Sequence, residues 1–169
     1  MLPTRAFLGL GSNLGDREAA LSAARRGLEA RGVRIVRESA LYETEPVGGP
    51  PQGAFLNAVW EAETALTPEE VLAACLTVER EQGRVRDVKD GPRILDIDVL
   101  LYGDLRRDSP GLTIPHPRLA ERRFVLVPLA EIAPEARHPV TGRTAAEMLA
   151  RTSDRSAVGP YRRVPAPAR

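Results

Sequence analysis

The run from Ile94 to Tyr102 sets the strongest limit on how this chain folds. Ile94, Leu95, Ile97, Val99, Leu100 and Leu101 give it the make-up of a buried strand, yet Asp96 and Asp98 interrupt it. Side chains two apart on a strand point to the same face, with Cα atoms only about 6.6 Å apart at a rise of about 3.3 Å per residue. Two carboxylates held that close on a strand that otherwise favours burial repel each other and lose hydration, unless a cation lies between them. Hard oxygen donors with no His or Cys beside them favour Mg²⁺ over zinc. Spacing alone fits an exposed sheet face with two solvated aspartates equally well.

The rest of the chain supplies a setting for that strand. Arg5 to Gly11 reads as a short buried strand ending in a glycine turn, and Asp16 to Ala30 carries Ala19, Leu21, Ala24 and Leu28 at helical spacing, with Gly32 closing the helix. Val33 to Tyr42 alternates as a second strand, Glu45 to Pro51 is a loop, and Phe55 to Thr64 is a third strand. Thr67-Pro68-Glu69-Glu70 joins an N-cap, a proline at the first helical position and a capping-box glutamate, so a helix runs from there to about Gln82. After the polar loop from Gly83 to Arg93 and the acidic strand come a short extended piece at Leu112 to Ile114 and helices over Phe124 to Ala133 and Thr144 to Arg151. Strand, helix, two strands, helix, strand predicts an α+β fold, a ferredoxin-like sandwich whose antiparallel sheet is flanked by helices, because consecutive strands need only a hairpin. Residues 1–151 are expected to form one domain. Residues 152–169, rich in proline, glycine, serine and arginine, are expected to be a loosely packed C-terminal tail.

Composition narrows the function classes. A chain of 169 residues with 43% hydrophobic residues can bury one core. No apolar run is long enough to span a bilayer, and Met1 to Gly15 lacks the zones of a signal peptide, so a soluble cytoplasmic protein is expected. The lone Cys75 excludes an internal disulfide and is expected to pack in the core. A net charge of +1 makes no general case for nucleic acid or membranes. Of the 24 basic residues only Lys89 is a lysine, so any anion site rests on local arginines.

Such a cluster precedes the acidic strand. Arg84, Arg86 and Arg93 gather with Gly83, Gly91 and Pro92 just before Asp96 and Asp98. Carboxylates that hold a metal beside guanidinium groups are what a triphosphate requires, since the metal bridges phosphate oxygens and the arginines clamp the rest. This favours the metal reading, against that of a solvated charged loop. His116, followed by Arg118, Arg122 and Arg123, offers a further donor, although a proline-flanked histidine also suits a purely structural role. In Gly9-Leu10-Gly11-Ser12-Asn13-Leu14-Gly15 the third glycine falls one place too late for a dinucleotide fingerprint, which leaves a tight turn with Ser12 or Asn13 capping the next helix. Glu79 either orients an arginine or caps the helix surface.

The blocks Gly9 to Gly15, Tyr42-Glu43-Thr44-Glu45-Pro46-Val47-Gly48, Phe55-Leu56-Asn57-Ala58, Glu79 to Arg86, Gly91 to Asp98 and Leu112 to Arg118, completed by Arg122 to Glu135, make the chain resemble the hydroxymethyl-dihydropterin pyrophosphokinase family. The resemblance implies a reaction in which the pterin's hydroxymethyl oxygen attacks the β-phosphorus of ATP, releases AMP and leaves the pterin diphosphorylated for folate synthesis. By the same likeness, Asp96 and Asp98 hold two Mg²⁺ ions, and Arg84 and Arg93 neutralise the moving phosphates. Glu79, Arg86, His116 and Arg122 grip the nucleotide, and adenine rests near Val99, Leu112 and Thr113. The pterin lies between Phe55 and Phe124, with Asn57 reading its edge and Thr44, Pro46 and Val47 its amide side. The partners implied are these two small molecules, without nucleic acid or membrane, for a monomer. The segment Asp87 to Asp90 lacks a tryptophan found in some relatives, Gly111 replaces a basic residue and Leu76 a glutamine, which puts nucleotide contacts there in doubt. The loops Pro46 to Gln52 and Gly83 to Arg93 are predicted to close over substrates. Two rivals remain: a non-catalytic RNA-binding module of the same sheet type, whose basic face the two aspartates spoil, and an enzyme of the same sheet type that transfers another phosphate without a pterin.

Overall fold

A computed structural model of the chain describes residues 2–46, 51–83 and 94–161. Its elements run β1 (Thr4–Ser12), α1 (Arg17–Ala30), β2 (Val33–Glu38), β3 (Tyr42–Thr44), β4 (Phe55–Thr64), α2 (Pro68–Glu81), β5 (Asp96–Tyr102), β6 (Arg107–Ser109), β7 (Leu112–Ile114), α3 (Arg123–Ile132), α4 (Ala145–Arg151) and β8 (Val158–Pro160). The main sheet is antiparallel in the order β5-β1-β4-β3-β8, and β2 also pairs with β4. The α+β class and the helix-flanked antiparallel sheet are those predicted from the order of elements.

Alternation along the strands divides the core in two. Leu8 and Leu10 of β1, Leu56, Ala58 and Trp60 of β4, and Ile97 and Val99 of β5 pack against α1 and α2. Phe7, Val59 and Leu100, on the opposite face, pack against α3 and α4. The α2 capping box forms as the sequence predicts, with Thr67 accepting from the Glu70 amide and Glu70 from the Thr67 amide.

The structure corrects four local expectations. The strand expected over Val33 to Tyr42 is two: β2 pairs with the Trp60–Thr64 half of β4, and β3 with Phe55 to Asn57. Between them the Ser39 hydroxyl accepts the Val59 N–H at 2.9 Å, replacing a ladder bond with a side chain and letting the strand break. The cap of α1 is Asp16, which accepts from the Ala19 amide, instead of Ser12 or Asn13. Gly9 and Gly11 lie inside β1 and not in a turn; the positive φ belongs to Gly15. The tail is not loose over its first ten residues: β8 adds to β3 by pairing Thr44 with Val158, and Thr152 is buried with its hydroxyl donating to the Glu121 carbonyl.

Candidate active site

Asp96 and Asp98 project from the same face of β5 as Leu100, as the alternation requires. They open into a cavity to which the start of α3 contributes Phe124 and Val125. β1 lies next, with Gly9 opposite Asp98 and Gly11 opposite Asp96. On the other side of β1, Asn57 of β4 faces Gly11. Two glycines therefore form a floor without side chains between a pair of acids and an amide. A cavity of about 530 Å³ opens above it, lined also by Thr44, Phe55, Arg122, Phe124 and Asp154.

The glycine at position 11 has a steric reason. A Cβ there would lie 3.0 Å from Asn57 Oδ1 and 3.6 Å from Phe55 Cδ1. Asn57 is buried, and its Nδ2 donates to the Thr44 hydroxyl across the β3–β4 pair. That bond fixes which edge of the amide faces the cavity. Asn13, expected as a cap, instead donates to Gln52 Oε1 at 2.8 Å and the Gly53 carbonyl at 3.1 Å, tying the end of β1 to the approach to β4.

The acids are supported from behind. Glu79 of α2 is 2% exposed and its Oε2 accepts the Ile97 N–H at 2.9 Å. Because β5 is an edge strand, that amide points away from β1, and the carboxylate completes it between the two aspartates. Of the two alternatives left by the sequence, capping of the helix surface is thereby excluded. The role of Glu79 toward an arginine of the loop falls outside the described residues. Cys75 on the same helix is fully buried, as expected, and burial together with the charges of Glu79 and Asp98 pushes its thiol up to about 12.

His116 brings its Nε2 to 3.9 Å from Asp98 Oδ2. Burial, then the positive charge of Arg122, lowers its pKa against the opposing pull of Asp96, so the imidazole is neutral at neutral pH. Its Nδ1 accepts the Arg118 amide at 3.1 Å, which leaves Nε2 as the N–H donor on the side of the acids. Arg122 lines the cavity with its guanidinium 5.5 Å from the centre of the Phe124 ring.

The structure thus brings Asp96, Asp98, Thr44, Phe55, Asn57, Phe124 and Arg122 to one cavity, with His116 beside Asp98. Pro46 is half-buried just after β3 and is not part of the lining. Val99 and Leu112 belong to the core under α1 and α2, and Thr113 between its neighbours is exposed, so these three stand apart from the cavity. Val47, Arg84, Arg86 and Arg93, together with residues 47–50 and 84–93 of the two loops predicted to close, lie outside the described residues. Sequence reasoning missed the floor formed by Gly9 and Gly11 and the cavity wall at Ser153 and Asp154. Neither carried a local signal: the glycines matter through their register opposite two acids, which only strand pairing reveals, and the wall residues come from a stretch without periodicity.

Asp96 and Asp98 fit Mg²⁺ chemically, being adjacent hard oxygen donors facing a solvent-connected cavity. Among the described residues no third His, Cys, Asp or Glu completes a metal cage, which suits an ion that takes its other ligands from phosphates and water.

The description "7,8-dihydro-6-hydroxymethylpterin-pyrophosphokinase" belongs to the family model that matches residues 7–134. A 2-amino-4-hydroxy-6-hydroxymethyldihydropteridine pyrophosphokinase of Methylorubrum extorquens is 48% identical over 149 residues, covering 88% of this chain and 93% of that one. The enzyme of the same name from Bacillus subtilis is 43% identical over 137 residues, covering 80% and 82%. Among solved structures, an HPPK-DHPS bound to substrates superposes with a TM-score of 0.69 at 13% identity. It covers 89% of this chain, which spans 43% of that longer protein, and the likeness speaks for the fold alone. With its family model matched over most of its length and these relatives covered nearly end to end, the chain belongs to the 7,8-dihydro-6-hydroxymethylpterin-pyrophosphokinase family.

Proposed function

We propose that this protein transfers a diphosphate from ATP to the hydroxymethyl group of 6-hydroxymethyl-7,8-dihydropterin, releasing AMP, in folate synthesis. The observation that carries the reading is the glycine floor, with paired carboxylates on one side and an amide on the other, in a cavity that Phe55 and Phe124 also line. Phe55 and Phe124 line the same cavity and offer flat faces on which a planar heteroaromatic ring would stack, and Asn57, pinned by Thr44, has donors and acceptors to read its edge. On the far side, Asp96 and Asp98 would hold the metal ions that accompany ATP. Mg²⁺ held there would supply positive charge to offset that of the phosphates.

The chain's own residues then act by position. The glycines keep side chains out of the line between the pterin's hydroxymethyl oxygen and the β-phosphorus. His116 Nε2–H donates to a phosphate oxygen, and Arg122 adds a fixed positive charge at the cavity wall. Arg84, Arg86 and Arg93 are proposed to clamp the remaining phosphate charge. Holding the two reactants in contact and stabilising the charge that builds up supply most of the acceleration, so no strong general base is required. The reading carries with it a cytoplasmic monomer.

The test is AMP release from ATP with Mg²⁺, with and without hydroxymethyl-dihydropterin, for the wild type and for Asp96→Ala combined with Asp98→Ala. AMP that requires the pterin and is lost in the variant supports the reading. ADP as product, or AMP independent of the pterin, overturns it.

A further inference from the structure

Residues 152–161 lie beyond the part of the chain that the family model matches, and yet they touch both walls of the cavity. One contact is at the start of α3. That helix has no side-chain cap of its own, since Arg122 occupies the N-cap position without bonding a backbone amide, and no acid stands in its first turn. Asp154 supplies the cap from 31 residues away: its Oδ2 accepts the Arg123 N–H at 2.8 Å. The other oxygen, Oδ1, accepts from the Ser156 amide at 2.8 Å and from the Ser156 hydroxyl at 2.6 Å. The Ser156 carbonyl in turn accepts Arg123 Nε at 3.1 Å. Arg123 is thus held by its backbone and its side chain in the residues just before Phe124.

The second contact is on the opposite wall. β8 pairs with β3, Val158 against Thr44 and Gly159 against Glu43. The Tyr161 amide donates to the Leu41 carbonyl at 2.9 Å, and the Arg17 guanidinium stands over the Tyr161 ring at 5.3 Å while bridging to Glu43. Thr44 is the residue that pins Asn57. One stretch of chain therefore connects Thr44, which pins the Asn57 amide, to Arg123, the residue before Phe124, and Ser153 and Asp154 themselves line the cavity.

We propose that Asp154 is a positioning residue for the pterin: through Arg123 it sets where Phe124 stands relative to Phe55 and Asn57, with β8 as the anchor of the brace. This rests on the pyrophosphokinase reading above. Stacking a flat ring demands a fixed separation between its two neighbours, whereas Arg122, on its long side chain, can still reach a phosphate after a small shift of the helix start. Loss of the brace therefore weakens the pterin far more than the nucleotide. A merely structural role would instead lower stability and leave the two affinities unchanged, or reduce both together.

The experiment is titration calorimetry on the full chain, measuring a non-hydrolysable MgATP analogue alone and then hydroxymethyl-dihydropterin in its presence, for the wild type, Asp154→Ala and Asp154→Asn. For Asp154→Ala the expected result is a pterin Kd raised about tenfold and a nucleotide Kd changed by less than about twofold, from loss of a charged cap and its associated bonds. Asp154→Asn keeps an oxygen for the Arg123 amide but turns an N–H₂ toward Ser156, so it is expected to raise the pterin Kd by about threefold. This variant carries the test if Asp154→Ala does not fold. Unchanged pterin affinity in a folded variant, or equal weakening of both ligands, overturns the proposal. A wild type that binds no pterin overturns the reading beneath it instead.

Discussion

Gly11→Ala adds one methyl group at the centre of the cavity floor. Its carbon would sit 3.0 Å from Asn57 Oδ1, tighter than most real Cβ contacts, so the neighbour must retreat by a few tenths of an ångström. Asn57 is badly placed to do so. It is 6% exposed, its Nδ2 is committed to the Thr44 hydroxyl, and Thr44 is held between β4 and β8. Rotating the amide away breaks that bond at a cost of about 1 kcal/mol, and roughly up to 3 if the buried groups find no other partner. It also turns the reading edge away from a bound ring. At about 1.4 kcal/mol per factor of ten, pterin affinity should fall roughly fivefold to a hundredfold. Calorimetric titration of the pterin with the MgATP analogue present measures it directly. Gly9→Ala is the control: the nearest neighbours of its added carbon are Leu100 side-chain atoms, the first at 3.3 Å, so it should cost about 1–3 kcal/mol of stability by overpacking while moving pterin affinity by less than about threefold. A folded Gly11→Ala protein with wild-type pterin affinity, or equal losses in both variants, would refute the argument that Gly11 protects Asn57.

Three further outcomes follow from buried or capped groups. Glu79→Ala orphans the Ile97 amide and opens a void, and should lower stability by about 2–4 kcal/mol, or roughly 5–10 °C in Tm; Glu79→Gln keeps an acceptor and should lose less than half of that by calorimetry, equal losses pointing to the charge instead. Cys75, fully buried with its thiol pushed up to about 12, should resist alkylation by iodoacetamide in the native protein at pH 8 and react fully only in denaturant, as mass spectrometry can follow. For Asp154, burial raises the pKa, but the bonds from Ser156 and the Arg123 amide outweigh it and the folded value lies below the usual 3.8. The stability it contributes is then fully present above about pH 4 and lost as pH falls through that depressed value, so the Tm gap between the wild type and Asp154→Asn should narrow below about pH 4; a gap that stays constant would show that the carboxylate is not the stabilising species.

The parts of this molecule legible in the sequence are those set by local rules. The α2 capping box, the limits of β4 and the shared face of Asp96 and Asp98 all depend on residues within a few positions of one another. What escaped depends on partners far along the chain. Ser39 breaks an alternating run because its hydroxyl meets Val59, 20 residues away, and nothing in the run itself announces it. The tail reads as loose because its prolines, glycine and arginines carry no periodicity, yet Asp154 and β8 find partners on α3 and β3. Gly9 and Gly11 looked like turn residues since glycine is depleted in strands; their exception comes from the two strands that flank them. Within the site, the family likeness puts Val99 and Leu112 near the adenine, and the fold buries both side chains in the core under α1 and α2.

The strand order explains why the glycines matter more than their size suggests. The acids are on β5 and the amide is on β4, so they are separated by the whole width of β1, about 9–10 Å over two strand spacings. On the proposed reading, a ring whose edge is read by Asn57 would extend over β1 toward β5, and the group it carries would meet phosphates gathered by Asp96 and Asp98 above Gly11. A side chain at Gly11, beside Asn57 and Phe55, would then intrude on the space in which the new bond is proposed to form, whereas one at Gly9 meets Leu100. If the β1 position opposite Asn57 needs to be bare for this reason, then enlarging it beyond alanine should damage turnover out of proportion to binding. In Gly11→Val, the kcat for AMP release should fall by more than the pterin Kd rises, because misplacing reactants by about 1 Å is enough to cost roughly a hundredfold in rate. A Gly11→Val enzyme that is saturated with pterin and turns over at the wild-type rate would show that the bond forms away from this floor.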